Sequence, residues 1–333
     1  MSRTMTVAAK SNASSSARGG GMSTLGWVLH NVVWIWLIAL VAIFGLFNQF
    51  FFTVFNLQNI MVQATVLGIL GLAVALPLLV AEIDLSLPAN LGFSSAIGAL
   101  AYSDWGLPWF PGVMLGVAVA TLIGFFNGLC ITKLKMVSLI QTLSMMIILQ
   151  GALLALTQGR TITNLSDGYI WIGQATIGGW PIMPFILVVA LVGVGILLGQ
   201  TVFGRRIYAV GGNPVASNSA GIRVDSVKIM TYTLAGFLAG VGGFLLASWQ
   251  MAITSNQGSS YLLYAIAAPI IGGVSVFGGR GNVIGVLGGV LLLTVIQVGL
   301  AIVSVPSFYV GIIGGFMIFI AVAIDAIRVR YFS

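Results

Sequence analysis

Two carboxylates, Glu82 and Asp84, follow an apolar run that is long enough to cross a membrane. Ionisable groups at membrane depth are costly, and those found there usually line a pathway. Pro88 and Asn90, just downstream, indicate a broken or re-entrant backbone, which a membrane tolerates only around a cavity. We interpret this segment as part of a solute pathway. The alternative is that both carboxylates simply reach cytoplasmic water.

Other polar side chains lie inside or at the mouths of neighbouring apolar runs. Hydroxyl, amide and carboxylate groups suit a polyhydroxylated solute, and the set lacks the Arg or Lys that an anionic substrate would require. Taken alone, each of these side chains more often forms a hydrogen bond between helices than contacts a solute. The candidate pathway residues are Asp84, Ser86, Asn90, Asn127, Gln141, Asn256 and Gln297.

The sequence argues against catalysis or metal binding by this chain. It holds one His and one Cys, Cys130, so neither a His/Cys metal cluster nor an internal disulfide can form. The Gly-rich stretch 272–285 looks like a phosphate loop but lacks the Gly-Lys-Ser/Thr ending that binds phosphate and metal. We therefore expect no catalytic residue, no metal site and no cofactor in this chain.

The elements that position these residues are those of a membrane protein. Of 333 residues, 59% are apolar and 6% are charged, whereas soluble domains carry about 25% charged residues. At about 20 apolar residues per span, the pattern predicts an all-α polytopic protein with ten transmembrane helices. The predicted spans are 27–48, 58–80, 88–103, 110–132, 137–158, 183–202, 227–249, 261–278, 283–304 and 307–327.

The positions of the basic residues predict the orientation. With a cytoplasmic N-terminus and alternating spans, Arg160 is the only cation outside. Because cationic residues in short loops stay on the cytoplasmic side, we expect both termini to be cytoplasmic. This distribution explains the net charge of +7 without any nucleic-acid partner. The cytoplasmic side then holds Arg3, Lys10, Arg18, Lys133, Lys135, Arg205, Arg206, Arg223, Lys228, Arg280, Arg328 and Arg330.

The chain divides into a tail and one membrane domain. Residues 1–26 are rich in Ser, Gly and Ala and are expected to form a disordered cytoplasmic tail. Residues 27–328 form the transmembrane domain, in which spans two to five and seven to ten are predicted to be an inverted repeat. The longest outer loop, 158–181, is either an interfacial aromatic belt or a docking surface for an extracytoplasmic protein.

A polar loop on the cytoplasmic side, residues 203–228, contains the signals of one short helix. Asn213 is a good N-cap, and Pro214 fits the first helical position, where no backbone donor is needed. Gly221 accepts the left-handed conformation that ends helices. A short, defined helix in such a loop is expected to dock a soluble partner.

Several of these segments together resemble the ribose-type permeases of bacterial ATP-binding-cassette importers. The family signature Gly-Gly-Ile-Asp-Leu-Ser-Val-Gly corresponds to residues 81–88. Its Phe-Gly-Arg…Tyr-Ala-Val/Ile-Gly-Gly-Asn loop corresponds to residues 203–213, and its Gly-Gly-x-Ser-x-x-Gly-Gly-x-Gly turn to residues 272–281. The closing Asp matches Asp325. The resemblance extends from about residue 55 to residue 328.

The resemblance implies the permease subunit of an importer in the bacterial inner membrane. Two permease chains would form the pathway, and a cytoplasmic ATPase with two nucleotide-binding modules, using ATP and magnesium, would bind the loop helices. A periplasmic binding protein would deliver a monosaccharide or related polyol. Carried over by position, the coupling residues would be Arg205, Arg206, Asn213, Pro214, Ala216, Gly221 and Ile222.

The sequence also departs from the family pattern. Val215 stands where an acidic residue is common, and Glu82 and Pro88 replace two glycines of the signature. Gln297-Val298 stands where Asn-Asn is common. Since the last two changes touch the expected pathway, the solute need not be ribose. The alternative function is a stand-alone secondary transporter that uses Glu82 and Asp84 as an ion-coupling pair.

Overall fold

The computed structural model describes residues 31–306, 309–316 and 319–320. Two short strands, β1 (Thr176–Ile177) and β2 (Trp180–Pro181), pair antiparallel. Residues Ser259–Tyr261 form a 3₁₀ turn, and residues 309–316 and 319–320 are also helical. The helices with defined bounds are α1 (Val32–Phe47), α2 (Val54–Leu79), α3 (Leu87–Ser103), α4 (Trp109–Lys133), α5 (Ser138–Thr157), α6 (Asp167–Gln174), α7 (Met183–Gln200), α8 (Val202–Gly212), α9 (Pro214–Ser219), α10 (Val224–Gln250), α11 (Leu262–Ile271) and α12 (Val283–Ile302).

Within the described part of the chain, six helices are long and apolar enough to cross a membrane: α2, α4, α5, α7, α10 and α12. Helix α1 and the stretch Ser259–Ile271 are shorter apolar helices. The predicted span 88–103 corresponds to α3, whose 17 residues are slightly fewer than a full span requires. The chain is therefore an all-α polytopic membrane protein, as its composition predicts.

The predicted eighth span, 261–278, is not one continuous helix. Helix α11 ends at Ile271 because two glycines follow, of which Gly273 has a left-handed φ of 85°. Residues 272–281, here called the Gly-rich turn, then fold back on themselves, and Ser275 N donates to Arg280 O at 2.9 Å. The predicted tail, 1–26, and parts of the first and tenth predicted spans lie outside the described residues.

Helices α2 and α10 form the centre of the fold. Every residue of α2 from Ala64 to Leu79 is buried. Helix α2 packs against α11 and α12, and helix α10 packs against α3 and α4. Small residues let these backbones approach closely, as where Gly236 of α10 faces Gly124 of α4. The long helix of each half of the chain therefore packs on shorter helices of the other half.

The connections between helices meet in two groups at opposite ends of the bundle. In the first group, Gly279 N of the Gly-rich turn donates to Leu79 O at the end of α2, at 3.0 Å. In the second group, Ile162 and Ile253 form an isolated β-bridge. Spans that alternate in direction would place their successive connections at alternate ends of the bundle in this way. Further contacts join Lys133 to Asp225 in the first group, and Gln58 to Gly179 and Asn48 to Ile302 in the second.

Candidate pathway and coupling sites

The first candidate site is the loop of residues 80–86 between α2 and α3, here called the Asp84 loop. Helix α2 ends before a left-handed residue, Ala81, with a φ of 59°. Asp84 Oδ1 accepts hydrogen bonds from Ser86 N at 2.9 Å and from Ser86 Oγ at 2.6 Å. Since Ser86 also flanks the start of α3, these bonds fix the carboxylate directly before that helix.

The hydrogen bonds continue into the two helices packed beside this loop. Asn127 Nδ2 on α4 donates to Ser86 Oγ at 2.9 Å, and Gln141 Nε2 on α5 donates to Asn127 Oδ1 at 3.3 Å. Thr142, next to Gln141, accepts from Leu85 N at 3.1 Å. One network, here called the Asp84 network, thus joins four predicted pathway residues: Asp84, Ser86, Asn127 and Gln141.

The other three predicted pathway residues lie apart from the Asp84 network. Asn90 Nδ2 donates to Ala120 O on α4 at 3.0 Å. Asn256 is exposed in the loop after α10, and Gln297 is half-buried on α12. Among the described residues, no hydrogen bond joins either side chain to the Asp84 network. The structure therefore does not bring the seven predicted residues together at one point.

Sequence reasoning missed Gln257, the neighbour of Asn256. Its side chain is 5% exposed, and its Oε1 accepts from Thr254 N and Thr254 Oγ1, both at 3.2 Å. Its backbone carbonyl lies against Gly92 on α3, where a side chain would not fit. The one signal in the sequence is Gly258, whose φ of 87° turns the chain back into the bundle.

The Asp84 network is closed to solvent within the single chain. Asp84 is 1% exposed and Asn127 is 0% exposed. Asp84 Oδ2, Asn90 Oδ1 and Gln257 Nε2 have no hydrogen-bond partner among the described residues. Such buried, unpaired polar atoms are uncommon and costly. In this conformation the hydrogen bonds of the network connect α3, α4 and α5. Direct contact of these residues with a solute stays a prediction.

Glu82 has a partner of its own. It forms an ion pair with Lys228 near the start of α10, and the two side chains are 13% and 20% exposed. With Lys135 and Asp225 they line a cavity of about 380 Å³. Two carboxylates that couple transport to one ion must face that ion together, whereas Glu82 and Asp84 have separate partners.

The second candidate site is α9, the short helix predicted after Asn213. Asn213 Oδ1 accepts a hydrogen bond from Ala216 N at 2.9 Å, which makes Asn213 the N-cap. Pro214 occupies the start of the helix, where its missing N–H costs nothing. The predicted start of the helix is therefore confirmed.

The end of α9 also follows the prediction. Gly221 has a φ of 81°. Its N–H donates to Asn218 O and Ile222 N donates to Ser217 O, both at 3.0 Å, which together form the Schellman arrangement. Ser217 is the one buried residue of α9; its other residues are exposed.

The stretch before α9 is also helical, whereas the sequence predicted one short helix in a polar loop. Helix α8 is capped by Thr201, whose Oγ1 accepts a backbone N–H of the first turn at 3.0 Å. Ile207 and Val210 are buried, whereas Arg205 and Arg206 are exposed. The spacing of the buried positions by three or four residues is the signal that would have identified this helix.

Helix α8 is held against the end of α2 and the Gly-rich turn. Tyr208 Oη donates to Gly281 O at 2.9 Å, and burial raises the pKa of Tyr208, so the hydroxyl stays protonated. Gly211 lies so close to Leu79 O that a side chain there would collide with it. Gly279 N donates to the same oxygen. The backbones of these three segments therefore pack without intervening side chains.

The outer loop, 158–181, contains helix α6, which was not predicted either. Helix α6 is bonded to α10, since Gly173 N donates to Ser248 Oγ at 2.7 Å and Gln174 Nε2 donates to Trp249 O at 3.1 Å. The loop presents an exposed apolar surface, which fits both an aromatic belt and a docking surface. Its exposed apolar side chains are Trp171, Ile177 and Trp180.

Comparison with known proteins identifies the family to which these two sites belong. The family described as branched-chain amino acid transport system / permease component matches residues 56–322. The chain belongs to this permease family. The match covers the Asp84 loop, helices α8 and α9, and the Gly-rich turn.

Individual relatives are similar over most of their length. The ribose import permease protein of Bacillus subtilis (strain 168) is 38% identical over 291 residues, which are 87% of this chain and 90% of the relative. The galactose/methyl galactoside import permease protein of Escherichia coli (strain K12) is 32% identical over 324 residues, 92% and 96% of the two chains. The autoinducer 2 import system permease protein of Photorhabdus laumondii is 31% identical over 298 residues, 87% of each chain. The resemblance to ribose-type permeases is confirmed.

Proposed function

We propose that this chain is the permease subunit of an ATP-binding-cassette importer in the bacterial inner membrane. It moves a monosaccharide or related polyol into the cytoplasm together with a second permease chain. A cytoplasmic ATPase with two nucleotide-binding modules, which binds ATP and magnesium, drives it, and a periplasmic binding protein delivers the solute. Membership of the permease family and the names of the relatives support this proposal.

The observation that carries the proposal is the exposed helix α9. Its six residues are fixed by caps at both ends, although helices this short are marginal on their own. Val215 is nevertheless 76% exposed. A helix that is capped at both ends yet buries little within its own chain is ready to contact another molecule. We assign that contact to the ATPase, with Arg205, Arg206 and Ile222 beside the helix.

The grouping of the connections supports ten spans with both termini in the cytoplasm. Arg160 lies in the second group of connections, whereas the other basic residues of the described loops lie in the first. Because short basic loops stay in the cytoplasm, the first group is cytoplasmic. On this assignment α8, α9 and the Gly-rich turn are all accessible to a soluble ATPase.

The packing of the two halves supports the inverted repeat. Each half begins with a long helix, α2 or α10, of 26 or 27 residues. Each long helix is followed by a non-glycine residue with a left-handed φ, Ala81 at 59° or Met251 at 54°, and then by an irregular segment and a shorter helix. Two copies related by an axis in the membrane plane would give this repetition and the reciprocal packing of α2 and α10.

Helix α5 is our candidate for the surface that faces the second permease chain. Much of α5 is exposed, including Gln150 and Gly151. Because a polar side chain is costly in lipid, we place this face against the second chain or the pathway between the chains. Gln141 and Thr142 link α5 to the Asp84 loop. A shift of α5 would therefore open the Asp84 network toward the pathway.

The outer loop is our candidate for the surface that receives the periplasmic binding protein. Trp171, Ile177 and Trp180 are exposed there, and aromatic side chains are common anchors at protein interfaces. Because α6 is bonded to α10 through Ser248, contact with a loaded binding protein would act directly on α10, the helix that follows α9.

Replacement of residues 213–221 by a Gly/Ser linker of equal length tests the assignment of α9. We expect the variant to insert into the membrane and to lose capture of the co-produced ATPase on an affinity-tagged permease. A matched control replaces residues 176–181 of the outer loop in the same way and should capture the ATPase normally. Capture by the first variant at the level of the control would contradict the assignment.

A further inference from the structure

The Asp84 loop is held from both sides by the segment that contains α9. Before α9, Gly211 of α8 lies against Leu79 at the end of α2. After α9, Lys228 of α10 forms its ion pair with Glu82, the third residue of the loop. A displacement of α9 would therefore act at two points: on the end of α2, directly before the loop, and on the loop itself through the ion pair.

The segment that connects α9 to Lys228 is short and ordered. The Schellman turn at Gly221 leads directly into α10, which begins at Val224. Ile222 and Val224 are half-buried and pack against the main apolar core. Because the connection from Gly221 to Val224 is short, a rigid-body displacement of α9 would carry the first turns of α10 with it.

The ion pair is placed where its loss would matter. Glu82 and Lys228 are 13% and 20% exposed, so they are shielded from solvent far more than a surface pair. The neighbouring Lys133 and Lys135 bind Asp225, at 3.2 and 3.6 Å. Removal of either partner of the pair leaves a partly desolvated charge without compensation.

The pair depends on one of the departures from the family signature, Glu82. The signature of the ribose-type permeases has glycine at the position of Glu82, and a glycine has no side chain with which to reach Lys228. The Asp84 loop of this protein therefore has an attachment to α10 that the signature itself does not supply.

We propose that the Glu82–Lys228 ion pair transmits the movement of α9 to the Asp84 loop. The inference rests on the proposed function, because it takes the ATPase as the source of that movement. Glu82 is a positioning residue that acts on the pathway through the loop. When the ATPase moves α9, Lys228 moves Glu82, and Asp84 and Ser86 follow with the loop.

The test uses the assembled complex of the chain and its ATPase in proteoliposomes. Ala81, which is exposed at the start of the Asp84 loop, is changed to Cys in a Cys130→Ser background. The rate of maleimide labelling is then measured with and without ATP and vanadate. We expect nucleotide to change the labelling rate in this parent, and we expect Glu82→Gln and Lys228→Gln each to abolish that change while the ATPase stays bound.

A charge exchange, Glu82→Lys with Lys228→Glu, is the decisive control, since it restores the pair with reversed polarity and should restore the response to nucleotide. It also keeps the test valid if a single substitution fails to fold. A response in Glu82→Gln equal to that of the parent overturns the inference. A charge exchange that binds the ATPase but stays unresponsive also overturns it. If the parent itself does not bind the ATPase, the proposed function fails instead, and capture alone reveals this.

Discussion

Ser86 donates two hydrogen bonds, from its backbone N and its hydroxyl, to the same carboxylate oxygen of Asp84, at 2.9 and 2.6 Å. The hydroxyl at the same time accepts from Asn127 Nδ2. Hydrogen bonds to an ionised group are roughly twice as strong as neutral ones. This pair is therefore the point at which the Asp84 loop, α3 and α4 are fixed to one another.

Removal of the Asp84 carboxylate should weaken this point measurably. We expect Asp84→Ala to lower the free energy of unfolding by about 1–3 kcal/mol, because Ser86 N would remain buried without an acceptor. Thermal unfolding of the purified chain in detergent measures the loss. Asp104→Ala is the matched control, since Asp104 is exposed and its carboxylate accepts a hydrogen bond from the adjacent Ser103 Oγ at 2.6 Å. Equal losses for the two variants would contradict the role of Asp84.

Ala81 should be a position where glycine stabilises the protein. Its left-handed φ of 59° costs an L-residue roughly 1–2 kcal/mol, and the family signature has glycine here. We expect Ala81→Gly to raise the unfolding temperature. The same change at Ala155, which is exposed in the last turn of α5, should instead cost up to about 1 kcal/mol. Two changes of the same sign would show that the backbone at Ala81 is not strained.

Asp84, Ser86 and the caps of α9 show how much of the two candidate sites could be predicted from the sequence. Asp84 and Ser86 were identified as candidates because a carboxylate and a hydroxyl next to an apolar run are conspicuous. The caps of α9 were predicted because Asn213, Pro214 and Gly221 act on the backbone within a few residues of themselves. The predicted start and end of α9 were confirmed, and six of the apolar runs form helices long enough to cross a membrane. The role of Asp84 and Ser86 in the pathway stays a prediction.

Long-range contacts were beyond the reach of the sequence. Glu82 and Lys228 are 146 positions apart, and nothing local indicates that they meet. Gln257 was missed because its burial depends on the close approach of Gly92 on α3. The eighth span was drawn too long because its apolar composition continues past Ile271, whereas the helix ends at the glycines that follow.

Two adjacent glycines allow a matched test of the junction between α8 and α2. A side chain at Gly211 would collide with Leu79 O, whereas a side chain at Gly212 would meet open space. We expect Gly211→Ala to destabilise the protein by about 1–3 kcal/mol and to impair uptake. Gly212→Ala should stay within about 0.5 kcal/mol of the parent. Unfolding and uptake are measured in parallel for the two variants. Similar results for both would show that α8 and α2 do not pack closely at Gly211.

The N-cap of α9 should control binding of the ATPase. We expect Asn213→Ala to destabilise the helix by about 1 kcal/mol and so to weaken ATPase binding by roughly fivefold. Asn213→Asp keeps an oxygen acceptor for Ala216 N and should bind nearly as the parent does. Titration of the purified ATPase against each variant measures this. Undiminished binding by Asn213→Ala would show that the cap is irrelevant to docking.

The most direct test of the account is uptake by purified components in proteoliposomes. The chain is reconstituted with its ATPase and binding protein, and radiolabelled ribose and galactose are offered from the side of the binding protein. We predict uptake only when ATP is present on the side of α9 and the ATPase is included. Uptake by the chain alone along a proton or sodium gradient, abolished by Glu82→Gln, would contradict the account and support the ion-coupled alternative.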